Sequence, residues 1–502
     1  MNHKELAKKF LEISHDFKLG DLPTEGQHPK TIGLSQWSKS NLPLALDNIK
    51  QIEQEVLEVL KAKFGELNSL KQEIRDTFET GGRVFLCGCG ATGRLSLCLE
   101  TIWKKTQKSK ESVLSFMAGG DVALIHSIEN FEDFPQYGSR QLLELGFGEN
   151  DLLISTTEGG ETPFVIGATE QAAQTSKRRP YFLYCNPDDI LSSVALRSKK
   201  VIENKNIEKI NLTVSQMVLA GSTRMQASTI LMLAAGIGLF NLDEMWLNNL
   251  SENIDNLNFH DLEDFIIEES KIYQSGDSVL YLSCDELAIS VLTDTTERSP
   301  TFSLISFENM QSRTSDYSLC YLSLKSSSSI DEAWSKLLER PPRCLEWSET
   351  KEQTSLSRLK GFNISNGLFN QRADYINGKD QLFEIEFLQD GFHFKLNELS
   401  KDWRFNSTDL LAKHVLLKVL LNTHSTLVMG RLDRYSSNIM TWVRPSNNKL
   451  IDRTIRYVQI LLKEKGISKE YDEICYELFK QLESASRSEA LVLKVYNAIL
   501  ES

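Results

Sequence analysis

The chain has 502 residues, 41% of them hydrophobic and 25% charged, which predicts a soluble protein of two to four domains with ample core. Its 56 basic and 69 acidic residues leave a net charge of −13, arguing against a nucleic-acid or anionic-membrane surface. No run of 18 apolar residues offers a membrane span, and the eight cysteines form no CxxC pair, so they read as free thiols of a cytoplasmic protein that needs no metal and no cofactor.

The start, MNHKELAKKFLEISHDF, reads as an amphipathic helix and not as a signal peptide. Residues 18 to 45 contain Pro23, Gly26, Pro29 and Pro43 and predict an irregular stretch. Residues 44 to 79 then predict one long helix, with Leu46, Ile49, Ile52, Val56 and Leu60 at helical spacing. From Gly81 onward strands alternate with helices. Strands are expected at 83–88, 113–118, 151–156 and 181–185, and helices at 93–107, 138–145, 162–175 and 222–240. Apolar strands in this alternation imply a parallel sheet buried on both faces, with ligands at the carboxyl ends of its strands.

Two such ends are rich in donors. After the first strand, Gly88, Gly90 and Gly93 make a turn into a helix whose first residues include Thr92, Arg94 and Ser96. Free amides and the helix dipole at such a start favour an anion. The turn lacks the Gly-Lys-Ser/Thr of a Walker loop. It matches GxGxxG, but no ribose-binding acid follows at the required distance. After the strand DLLIST, Thr156, Thr157, Gly159, Gly160 and Thr162 form a second such turn, entering a helix at Pro163.

A second alternation begins with the strand SVLYLSC (278–284). It continues with the helix DELAISVLTDTTER, the strands TFSLISFEN and DYSLCYLSLKSSSS, and a helix from Ile330. No glycine turn follows its first strand. The serine run 323–329 with Lys325 reads as a solvated loop before an anion site. The strands LFEIEFL and FHFKL come next, and residues 453–502 predict three short amphipathic helices.

TEGQHPKT, GGRVFLCGCGATGRL, MAGGDVALIHSIENFED, DLLISTTEGGETPFVIG, YCNP and GSTRMQAST occur in this order between residues 20 and 245. Together they resemble the sugar isomerase (SIS) family, in particular its N-acetylmuramic acid 6-phosphate etherase and glucokinase regulatory protein branches. LLKVLLNTHSTLVMGRL and NIMTWVRPSNNKLIDRTIRYV resemble the end of a second SIS unit. The resemblance implies two tandem doubly wound parallel-sheet SIS domains with a small C-terminal helical cap. The divisions expected are an N-terminal segment 1–45, SIS domains 46–245 and 246–452, and a cap 453–502.

The resemblance also implies a ligand, a sugar phosphate, in one main pocket of the first domain completed by the second. Its expected contacts are Gly90, Thr92, Gly93, Arg94 and Ser96 at the first turn and Thr157, Gly159, Gly160 and Thr162 at the second. Ser222 and Thr223 of GSTRM, Glu132 of the GxED-like motif, and Lys418, reaching across from the second unit, complete the set. Of the two etherase glutamates, the second matches Glu132, the catalytic residue if the protein is a carbon–oxygen lyase; the first falls on Ile102, which transfers no proton. Gly159 and Glu161 stand where the etherases have serine and arginine, and Glu158 adds another acid; both glutamates are expected to point to solvent, the alternatives being a compensating cation nearby or a ligand that is not a phosphate.

The preferred reading is therefore a sensing or regulatory phosphosugar-binding protein, an internal pseudo-dimer working as a monomer. It leaves room for a protein partner such as a sugar kinase. The alternative is an etherase-like lyase on an amino-sugar phosphate. An aldose–ketose isomerase ranks third, because it needs a base reaching C1/C2, no histidine sits in a family motif for that role, and His126 reads as structural.

Overall fold

The computed structural model describes residues 2–126, 128, 131–486 and 489–501. Ser127, Glu129 and Asn130, inside the expected MAGGDVALIHSIENFED motif, lie outside the described residues.

The first sheet holds β1 (Val84–Gly88), β2 (Val113–Met117), β3 (Leu152–Thr157), β4 (Tyr181–Tyr184) and β5 (Glu208–Asn211). Their order is β2-β1-β3-β4-β5, and every neighbouring pair is parallel. β1 to β4 are buried along their whole length, as continuous apolar runs between two helical layers must be. The order reverses between β1 and β3, so the carboxyl ends of these two strands flank the crevice where an open α/β sheet binds ligands.

The second sheet holds β6 (Ser278–Ser283), β7 (Cys320–Leu324), β8 (Asp380–Leu388), β9 (Gly391–Leu396) and β10 (Leu399–Arg404), in the order β10-β9-β8-β6-β7. β6 runs parallel to β7 and β8, but β8, β9 and β10 form an antiparallel meander. The second sheet is thus mixed, not wholly parallel as expected. Two-residue connections leave no room for a crossover helix. The β9–β10 turn places Asn397 at φ 53°, a conformation asparagine tolerates.

Other expectations also change. The stretch 18–45 contains a helix, Leu34–Ser40, and Pro43 lies inside the first turn of the next helix, Leu42–Ala62, where proline costs no hydrogen bond. The single long helix is two, Leu42–Ala62 and Leu67–Glu79, parted by a short 3₁₀ turn that contains Gly65. TFSLISFEN is not a strand. The preceding helix, Ala288–Phe302, runs into it and ends at Ser303 with φ 51°, and the chain beyond is irregular.

Helices Gln226–Leu239, Ala288–Phe302 and Leu410–Arg431 pack between the two sheets, and one continuous core spans both units. Gln226–Leu239 is buried on every side, consistent with a sequence that is apolar or small apart from Gln226 and Thr229. The seam also buries charge. Arg298 is fully buried and binds Glu269 at 2.6 Å and Asp294 at 2.7 Å, while Arg224 lies 3.5 Å from Asp294. The C-terminal helices Asn448–Glu464, Tyr471–Leu482 and Leu491–Leu500 pack together, and the N-terminal helix His3–Ile13 joins them through Phe10 and Phe479. Among the described residues no helix is long and apolar enough to cross a membrane.

Candidate functional site

A cleft of about 650 Å³ opens at the carboxyl ends of β1 and β3. Its floor is the turn after β1, where Gly90 and Ala91 lead into the helix Ala91–Thr106. Gly90 adopts φ 56°, ψ −123°, which a residue with a Cβ avoids. A Cβ on Gly93 would lie 2.5 Å from Met117 Cβ, so this glycine lets the helix settle on β2. The Thr92 hydroxyl turns back into the turn, accepting from Cys89 N and donating to Cys89 O, both at 2.9 Å. Ser96 Oγ donates to Thr92 O at 2.9 Å. The structure therefore brings Gly90 and Arg94 to the cleft and leaves Thr92, Gly93 and Ser96 behind its wall.

Arg94 is no surface ion pair. It is buried and crosses to the second unit, donating from Nε to Thr296 Oγ1 at 3.3 Å and from Nη2 to the Ala123 and Leu124 carbonyls at 3.2 Å. In the second turn Thr157 Oγ1 lies 3.2 Å from Thr162 Oγ1 and accepts from Gly160 N at 3.2 Å. Those bonds hold Thr157 and Gly160 away from the cleft, while Glu158, Gly159 and Thr162 line it. Ser222 and Thr223 line the opposite side with Arg224, whose guanidinium donates to Ser425 Oγ at 2.9 Å and Thr426 Oγ1 at 2.7 Å. Arg224 Nε is buried and has no hydrogen-bond partner among the described residues.

Residues 66–173, which contain β1, β2, β3 and both turns, match the family described as the glucokinase regulatory protein N-terminal SIS domain. The first unit carries an SIS domain. The chain is 31% identical over 221 residues to N-acetylmuramic acid 6-phosphate etherase 1 of Bacillus licheniformis, covering 44% of this chain and 66% of that one. It is 31% identical over 184 residues to the N-acetylmuramic acid 6-phosphate etherase of Aliivibrio fischeri, covering 36% and 57%. The match thus spans two thirds or less of each of these relatives. Tagatose-6-phosphate ketose/aldose isomerase from Escherichia coli aligns over 78% of this chain and 95% of its own, at 10% identity and a TM-score of 0.40.

Glu132 sits on the rim of the SIS cleft, in the 3₁₀ turn Phe131–Asp133. Its Oε1 accepts from Asn447 Nδ2 at 3.2 Å and its Oε2 from Cys89 Sγ at 3.4 Å. Ile102, the position that the resemblance assigns to the first etherase glutamate, is buried in the apolar core of the SIS unit. His126 also borders the cleft, with Nδ1 3.0 Å from Ser306 Oγ of the second unit.

Neither acid of the second turn points to solvent. Glu161 is buried and salt-bridged to Arg197 Nη2 at 2.8 Å and Lys449 Nζ at 2.5 Å. Burial opposes its charge, but the two cations outweigh burial and hold the carboxyl at about 2. Glu158 lines the cleft, and burial, reinforced by the nearby Glu297 charge, pushes it up to about 8. Lys418 does cross into the first unit, donating to Arg224 O at 2.9 Å and Thr229 Oγ1 at 2.8 Å. It stops behind the 222–224 turn and does not line the cleft.

The cleft lysine is Lys449 instead, on the C-terminal helix Asn448–Glu464. Arg453 of the same helix also borders the cleft and pairs with Glu25 at 2.6 Å. Sequence reasoning missed both. The available signal was the spacing of Lys449, Arg453 and Arg456, which puts three cations on one helical face. Also missed were Glu297, inside the expected helix, and residues 299–301 and 303–306, which span the end of that helix and the stretch read as a strand. Among the described residues no group of three His, Cys, Asp or Glu is placed to hold a metal ion.

Proposed function

We propose that this chain binds a sugar phosphate in the SIS cleft and acts as a sensing or regulatory protein. The observation that carries the reading is the set of cations around the glycine turn. Arg94, Arg224 and Lys449 line one cleft with Gly90 and Ala91 at a helix start, a combination suited to a phosphate dianion. Glu132, Ser222, Thr223 and Thr162 supply acceptors and donors for sugar hydroxyls. The names of the etherase relatives also point to a sugar 6-phosphate.

Regulation is favoured over turnover because a core isoleucine, Ile102, stands where the etherases keep an acid. The cleft is also walled by the SIS unit, the second unit and the C-terminal helices together. A ligand touching all three changes their relative stability, and a protein partner such as a sugar kinase would read that change. The working form is a monomer, since the second unit supplies the wall that a partner subunit would otherwise provide.

One observation favours a second reading, an etherase-like lyase. Glu132 and Glu158 both line the cleft, and Glu158 holds its proton at neutral pH. A carboxylate and a carboxylic acid are the pair that elimination of an ether requires.

Thermal unfolding of the full chain with fructose 6-phosphate, glucosamine 6-phosphate and N-acetylmuramic acid 6-phosphate, with lactate assayed alongside, tests both. A ligand at 100 times its Kd stabilises by about 2.7 kcal/mol, an easily measured rise in Tm. A rise without lactate supports the regulatory reading. Lactate release that disappears in Glu132→Gln establishes the lyase, and no rise with any sugar phosphate refutes the phosphosugar assignment.

A further inference from the structure

Glu158 and Glu161 leave the same turn three residues apart and meet opposite surroundings. Glu161 turns into Arg197 and Lys449. Glu158 lines the cleft beside Gly159, makes no ion pair among the described residues, and keeps Oε1 buried without a hydrogen-bond partner. The charged groups that face it are Arg94 on helix Ala91–Thr106, Glu297 on helix Ala288–Phe302, Lys418 on helix Leu410–Arg431 and Lys449 on helix Asn448–Glu464. The Cys89 and Cys185 thiols and the Thr223 hydroxyl complete its surroundings.

A buried carboxyl oxygen without a donor disfavours the ionised form. In agreement, burial and the Glu297 charge push this group up to about 8. The same group borders the space where a phosphate would sit, beside Gly90 and Lys449. As a carboxylate it would repel a phosphate dianion there. As a carboxylic acid it removes that repulsion and supplies one further O–H donor.

Resting on the phosphosugar reading above, we propose that Glu158 stays protonated in the complex and donates its O–H to the bound phosphate, so that the protein takes up its anion together with a proton. The chain then distinguishes its ligand state by pH as well as by sugar. No bond other than this hydrogen bond forms, and above pH 8 the proton comes from solvent.

The test is calorimetric titration of the full chain with fructose 6-phosphate, and with inorganic phosphate as the smaller probe, at pH 7 and pH 9. Buffers of different ionisation enthalpy report proton uptake. The expected result is uptake approaching one proton per ligand at pH 9 and a small fraction at pH 7. Affinity should stay level to about pH 8 and fall about tenfold per pH unit above it. Glu158→Gln keeps a donor that does not titrate, so it should bind at pH 7, hold its affinity to pH 9 and take up no proton. Binding at pH 9 without proton uptake overturns the inference while leaving the phosphosugar reading intact. So does an unchanged pH profile in Glu158→Gln, which would assign the proton to another group such as Glu297. Absence of binding by the whole sugar phosphate panel between pH 5 and pH 9 overturns both. Buffer dependence in the unmodified chain decides the matter even if the variant fails to fold.

Discussion

The carboxyl ends of the two sheets make opposite use of similar strands. In the first sheet β1 and β3 end in glycine turns, and the cleft they open is lined by groups with unused hydrogen-bonding capacity, Arg224 Nε, Glu158 Oε1 and Glu297 Oε1. In the second sheet β6 ends at Ser283, Cys284 and Asp285 follow without a glycine, and the polar groups near that end pair with one another at the surface. Ser326 Oγ donates to Asp285 at 2.6 Å, Lys336 pairs with Glu332 at 2.9 Å, and Lys325 binds Glu386 at 2.6 Å. An alternation of strand and helix is therefore not enough to make a binding site. The strand must end in residues small enough to leave a space, and the walls of that space must keep polar atoms that the protein does not itself consume.

Four measurements test this difference between the two ends. The largest effect should come at the buried ion cluster of the second unit, beside the seam. Arg298→Met leaves Glu269 buried without its arginine and Asp294 with Arg224 alone, and urea unfolding should show a loss of about 3–5 kcal/mol. A loss below about 1 kcal/mol would mean that this cluster adds little to the apolar packing around it.

Acid titration is next. Glu161 and Glu25 are each held at about 2, by Lys449 with Arg197 and by Arg453 with Arg456, against the opposing effect of burial. Their folded values lie below the unfolded value of 4.5, so their contribution is complete above pH 4.5 and is lost as pH falls toward 2. At 1.36 kcal/mol per unit each contributes about 3 kcal/mol. Glu161→Gln should lower stability at pH 7 and flatten the acid limb of a stability–pH curve between 4.5 and 2. Glu158 has the opposite sign. Its raised value makes the empty cleft costly as pH rises from 4.5 through about 8, so Glu158→Gln should flatten the decline of Tm over that range.

Ligand affinity separates the lysines that reach the first cleft from those that do not. Lys449→Met removes the charge that the C-terminal helix brings to the first cleft and should weaken fructose 6-phosphate at least about tenfold, the effect of one charged hydrogen bond. Lys418→Met removes a lysine that does not line the cleft, so any affinity change should be smaller than that of Lys449→Met. The smallest effect belongs to the second unit. Lys325→Ala removes a half-exposed pair and should change stability by less than about 0.5 kcal/mol and sugar phosphate affinity by less than about twofold. A larger loss of affinity there would locate a second ligand site and end the contrast.

The sequence by itself determined the α/β class, the four apolar strands of the first sheet, the glycine turns after β1 and β3, and the departures at Ile102 and Glu161. These are local matters of periodicity, conformational freedom at glycine, and residue chemistry at a given place in a motif. Tertiary structure decided the rest. Thr92 and Ser96 have the right chemistry for a phosphate, but the tight turn uses their hydroxyls for its own backbone. Lys418 reaches the first unit and is absorbed by a carbonyl and a threonine. Glu297 lies outside the motifs, and Lys449 and Arg453 sit in the late motif NIMTWVRPSNNKLIDRTIRYV, far along the chain from the glycine turns; all three become cleft residues only because the C-terminal helices and the second unit fold over the first sheet. Side-chain direction and the partners already taken are properties of the packed molecule, and no local pattern of residues encodes them.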